Sequence, residues 1–181
     1  MIRSFIKIFV QTHFKLSSAK RVEKQTRRLL KEYLRLAQGL DEISGSEPIT
    51  VPPMFGIDED MRGWTFFMIL RHNTIVNNAI SANIRRLALG ESAPAKKFDH
   101  KHDVMPAEDC GIEQIAIFKA SVLSHLESIR PLGELRGTKT KDHPRFGSFD
   151  AHKWNCMFAF HLKVHLRQAM FVREKALTTS S

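Results

Sequence analysis

No stretch of this chain approaches the ~18 consecutive apolar residues that a membrane-spanning helix requires, so no transmembrane segment is expected. The opening MIRSFIKIFV breaks its apolar run with Lys7, which argues against a secretory signal. A cytoplasmic protein is the expectation, with a membrane-surface role for the first turns as the lesser option. Cysteine is scarce. Cys110 and Cys156 form neither a CxxC pair nor a disulfide framework and read as two reduced thiols. Acidic residues are the minority, 19 against 28 basic ones, for a formal net charge of +9. Much of the excess falls in AKRVEKQTRRLLKEYLR (19–35) and RGTKTKDHPR (136–145). Such runs are either solvated helix faces or a preference for anionic partners. Aromatics do not interleave with these cations on any strand-like segment, and zinc-finger and RNA-recognition signatures are missing, so nucleic acid is not the expected partner. Internal repeats and strand-like alternation are also absent.

What is present is helical periodicity. With 181 residues and 43% apolar content, the chain can bury one core, and a single domain over 1–181 is expected. Val22, Leu29, Leu30, Tyr33, Leu34, Ala37 and Leu40 recur by threes and fours and predict a helix over about 18–42. Ahead of it, Ile2, Phe5, Ile6, Phe9 and Val10 repeat the spacing, so residues 1–17 read as a short helical extension packed on the bundle or on a partner. SGSEPITVPPMFGIDED (44–60) is a loop by composition, and Asp58, Glu59 and Asp60 suit the positive start of a second helix ending near 88.

A third helix is expected over 108–130, with Ile112, Ile115, Ala116, Val122, Leu123, Leu126 and Ile129 on its buried side and Pro131 ending it. Residues 131–149 form a long connection that crosses the bundle or covers a site. Asp150 suits the N-cap of a fourth helix reaching about 176, ahead of a frayed TTSS tail. These elements imply an all-α four-helix bundle.

Within FAFHLKVHLRQ (158–168), His161 and His165 stand four apart and share one helix face. Nine histidines yield ~0.4 such pairs by chance, so the spacing alone is weak. Their face carries more weight: Trp154, Phe158, His161, His165 and Gln168 make one stripe, while Lys153, Lys163 and Arg167 lie elsewhere. On the second helix, His72 sits amid Met68, Ile69, Ile75, Val76, Ala79 and Ile80. Alone, it reads as a hydrogen-bonded core residue. Two helices each burying imidazole change that, because an unpartnered one costs about 1–3 kcal/mol and a shared metal would satisfy all three. Three neutral imidazoles with an open fourth position are a catalytic arrangement of zinc.

WTFFMILRH (64–72), together with HPRFGSFDAHKWNCMFAFHLKVHLRQ (143–168), resembles the DinB-like superfamily of metal-binding four-helix bundles. The recurring pattern falls here on Trp64, His72, His143 to Gly147, Trp154, His161, His165 and Gln168, and the resemblance spans about residues 18–176. It implies His72, His161 and His165 as ligands of a divalent metal, commonly zinc or nickel. It also implies a homodimer. The family includes thiol S-transferases that use bacillithiol- or mycothiol-like cofactors, a mycothiol-dependent maleylpyruvate isomerase, and iron-binding domains of ergothioneine-forming enzymes. A thiol S-transferase or hydrolase, taking a low-molecular-weight thiol or another anionic small molecule, is therefore the first expectation. A non-catalytic metal-binding or stress-response protein, or a basic module for nucleic acid, are the alternatives.

His143, Trp154, Phe158 and Gln168 are candidate pocket residues. His143 either starts the HPRFG turn or donates a hydrogen bond near the metal. His100 and His102 read as surface residues, and His13, His125 and His152 as peripheral. Cys156, about 140° from His161 on the helix, is expected to miss the ion. Neither metal-bearing stripe carries Asp or Glu, so no general base is identified.

Overall fold

The computed structural model describes residues 2–91, 99 and 102–179. Among them the chain is mostly helical: α1 (Ile2–Leu16), α2 (Ala19–Ala37), α3 (Glu42–Gly45), α4 (Phe66–Leu89), α5 (Gln114–Ile129) and α6 (Ala151–Thr179), with a hairpin of β1 (Lys141–His143) and β2 (Gly147–Phe149). None of these helices is long and apolar enough to cross a membrane.

The helix ends follow from local chemistry. Ser18 Oγ accepts the Arg21 amide, Thr65 Oγ1 the Met68 amide, and Asp150 Oδ1 the Lys153 amide at 2.8 Å. Gly90, at φ 69°, closes α4 in the left-handed conformation. The helix expected over 18–42 stops at Ala37, because Gly39 turns at φ 80° and Asp41 opens α3 with its own capping box. Asp58, Glu59 and Asp60 do not start α4: residues 59–61 form a separate 3₁₀ turn, and the helix begins only after Thr65. Nor does α5 begin at 108. The Gly111 and Ile112 amides are taken by the Glu113 and Glu42 carboxylates, which fixes the helix start beyond them and leaves Ile112 exposed. At the far end α6 runs to Thr179, so part of the expected tail is helical.

α4 packs along both α5 and α6, and α2 packs on α6 and α5. The Tyr33 hydroxyl donates to the Leu162 carbonyl at 2.9 Å and accepts from Asn73, tying α2, α4 and α6 together at one buried point. The buried face of α5 runs through Phe118, Ser121, Val122, His125 and Leu126, while Ala116 faces out. α1 lies on α6 through Val10 and Phe14, and its opposite face leaves Phe5, Ile8, Phe9 and Leu16 exposed. Gln11 reaches from α1 to the Phe146 and Ser148 carbonyls and holds the hairpin in place. The strands correct the expectation of none. With three residues each, they are too short to leave an alternating pattern.

Candidate metal centre

His72 enters from the second turn of α4, and His161 and His165 enter from successive turns of α6. One ring nitrogen from each lies within 4.8 Å of the others. His72 Nε2 and His161 Nε2 are 3.2 Å apart. A tetrahedral zinc with bonds of ~2.0–2.1 Å holds its ligand atoms ~3.3–3.4 Å apart, so this group could hold a metal ion.

The outer nitrogens test that fit. His72 Nδ1 lies 2.8 Å from the Val104 carbonyl, which can only accept, so the proton sits on Nδ1 and the Nε2 lone pair faces inward. His165 Nδ1 donates to Gln168 Oε1 at 2.9 Å, and Gln168 in turn donates to the Met61 carbonyl, which fixes the amide orientation. Such anchoring is the usual support of metal-ligating histidine. His161 departs from it, since its buried Nδ1 has no partner among the described residues. Burial pushes His72 down to about 4 and His165 to about 3, and burial, helped by the neighbouring imidazoles, holds His161 well below the ordinary value as well. All three are therefore neutral at pH 7, the form that ligates.

Trp64 packs over the cluster, its ring tilted against His72 at 4.9 Å and stacked on His165 at 6.4 Å. On the other side opens a cavity of about 700 Å³, walled by residues of α4, α6 and the hairpin and reaching solvent past Phe55 and Arg145. His143 and Trp154 are among the residues that line it. His143 Nδ1 also accepts the Arg145 amide at 3.1 Å, so the residue shapes the turn and faces the cavity at once. Phe158 does not line the cavity. The cavity-facing positions Met157, Phe160 and Val164 centre roughly 125° round the helix from it, and Phe158 instead stacks on His125 with ring centroids 3.5 Å apart. Gln168 acts behind His165 rather than on the wall. Among the described residues the only carboxylate on the wall is Asp58, which is engaged by Arg145 at 2.7 and 2.9 Å.

His125 and His152 are buried, not peripheral. His125 sits between Ser81 Oγ and Asn155 Oδ1, and His152 against the Phe14 carbonyl. Their signal was present, since His125 is spaced with Val122 and Leu126, but imidazole was not counted among the core-forming positions. His13 is exposed, His102 pairs with Asp99 at the surface, and His100 lies outside the described residues. Cys156 faces α1, 3.8 Å from the Phe14 carbonyl and away from the cluster, and both cysteines are free thiols. The basic outer face of α2 carries its own counter-charges, with Glu23 on Arg27 and Glu32 on Arg35.

No protein-family model matches the chain, and neither a curated protein nor a solved structure matches it.

Proposed function

We propose that this chain is a divalent-metal-dependent enzyme, a four-helix bundle of the DinB-like kind with His72, His161 and His165 as ligands and zinc or nickel as the ion. One observation carries the reading: three neutral imidazoles converge on the wall of a cavity that opens to solvent. A structural site would be sealed by a fourth protein ligand, and none of the described Cys, Asp or Glu joins the cluster. When bound, such an ion lowers the pKa of water or thiol and polarises an acceptor. The reaction we favour is S-transfer from a low-molecular-weight thiol, with hydrolysis as the variant in which water takes its place.

The chain supplies the rest. Val104 and Gln168 orient the His72 and His165 imidazoles, while Trp154, Met157 and Phe160 exclude water from the wall. Asp58 is held by Arg145, so we assign proton handling to His143, whose Nε2 carries the hydrogen once Nδ1 accepts from Arg145.

The test is conjugation of a chromogenic aryl halide by a panel of low-molecular-weight thiols, alongside ester hydrolysis, with zinc- or nickel-loaded protein. Turnover is expected to need the ion and to fall to background in His161→Ala. Metal-loaded wild type that turns over neither class would leave the non-catalytic metal-binding reading in its place. We further propose that two copies associate through the outer face of α1, where Phe5, Ile8, Phe9 and Leu16 are exposed. Sedimentation velocity is expected to show a dimer that Phe5→Glu, Phe9→Glu dissociates, and a wild-type monomer would remove that part of the proposal.

A further inference from the structure

The cavity extends well beyond the histidines. Along α4, His72, Val76, Ala79, Ile80 and Asn83 all line it. Eleven residues at 1.5 Å each place Asn83 roughly 16 Å from His72 on nearly the same helix face. Between these ends the wall is apolar, and at the far end the character changes. Asn83 Oδ1 accepts from Lys141 Nζ at 2.9 Å and from Arg86 Nη2 at 3.1 Å. Two cations, themselves just outside the wall, therefore converge on one neutral amide oxygen of a residue that lines it.

Neither cation has a carboxylate within ion-pairing distance among the described residues. The contrast with the opposite rim is direct, since Arg145 there is matched by Asp58. Complementing the negative end of a helix does not account for the pair. Lys139 does that, donating to the Gly90 carbonyl at 2.8 Å, whereas the side chains of Arg86 and Lys141 donate to a side chain facing the cavity. Burial and the Arg86 charge both lower the Lys141 pKa, a cost that an anion placed between them would relieve.

We infer that the cavity binds an elongated amphipathic anion, its charged oxygen group held by Arg86 and Lys141, its apolar body along Val76 and Ile80, and its opposite end at the histidine cluster. The inference rests on reading the cavity as the substrate site and holds whether or not the histidines carry an ion.

Calorimetric titration with decanoate, decyl phosphate and decanol tests it. One or both anions are expected to bind, at least tenfold more tightly than decanol, and the pair distinguishes a carboxylate from a phosphate head. Arg86→Gln, Lys141→Gln is expected to weaken the anion at least tenfold and to leave decanol and the circular dichroism spectrum unchanged. Absence of binding by all three, equal binding of anion and alcohol, or an unaffected double variant would overturn the inference. The same titration on His161→Ala, His165→Ala scores the metal separately: anion binding that persists while bound metal is lost supports both readings, and anion binding to a wild type without metal refutes the metal alone.

Discussion

Wild-type protein is expected to retain about one divalent ion per chain after dialysis, as a single three-histidine site would, and the His161→Ala, His165→Ala variant is expected to retain none. Removing both α6 imidazoles leaves His72 as a single ligand, and the described Cys, Asp and Glu residues contribute nothing to the cluster. Elemental analysis before and after reloading reads the result. Gln168→Ala is the more discriminating change. It touches no proposed ligand atom, yet it frees His165 to rotate, and loss of such a support weakens metal binding about 10–100-fold. A wild type that stays empty after reloading would mean that His72 and His161 form only the 3.2 Å hydrogen bond of a polar core.

The second large effect is a loss of stability in mild acid, for which His125 is the clearest source. Burial pushes its pKa down to about 4, opposed by the Asn155 hydrogen bond, while in the unfolded chain it titrates near the ordinary value of 6.5. Above pH 6.5 the group is neutral in both states and contributes no slope. As pH falls from 6.5 to 4, the unfolded chain takes up a proton that the folded one refuses, and stability declines by about 1.4 kcal/mol per pH unit, or about 3 kcal/mol in all. Below 4 both states are protonated and the slope ends. Urea unfolding of wild type and His125→Gln across this window is expected to show the shallower dependence in the variant, whatever its stability at pH 7. Parallel curves would show that His125 is not the group responsible.

Helical period was enough to bring His161 and His165 onto one face and to aim His72 at them from α4, because a spacing of four and a place in mid-stripe survive any detail of packing. The anchors were not readable in the same way. Val104 and Met61 act through backbone carbonyls in connecting segments, and a carbonyl carries no residue-type signal. Phe158 was misplaced because a stripe on a helix wheel does not say where the neighbouring helices divide it; α5 claims that edge through His125. The start of α5 depended on Glu42, seventy positions away, capping Ile112. Arg86 and Lys141 were visible only as net charge until the fold set them on one oxygen.

The outer ring nitrogens of His72 and His165 have a consequence of their own. One is fastened to the segment before α5 and the other, through Gln168, to the segment before α4. Whatever binds the inner nitrogens is thereby coupled thermodynamically to the placement of both segments, and the coupling is reciprocal. Ligand occupancy and connector order form a single equilibrium, so proteolytic nicking near Met61 or Val104 would be slowed by the same ligand that the nick would weaken.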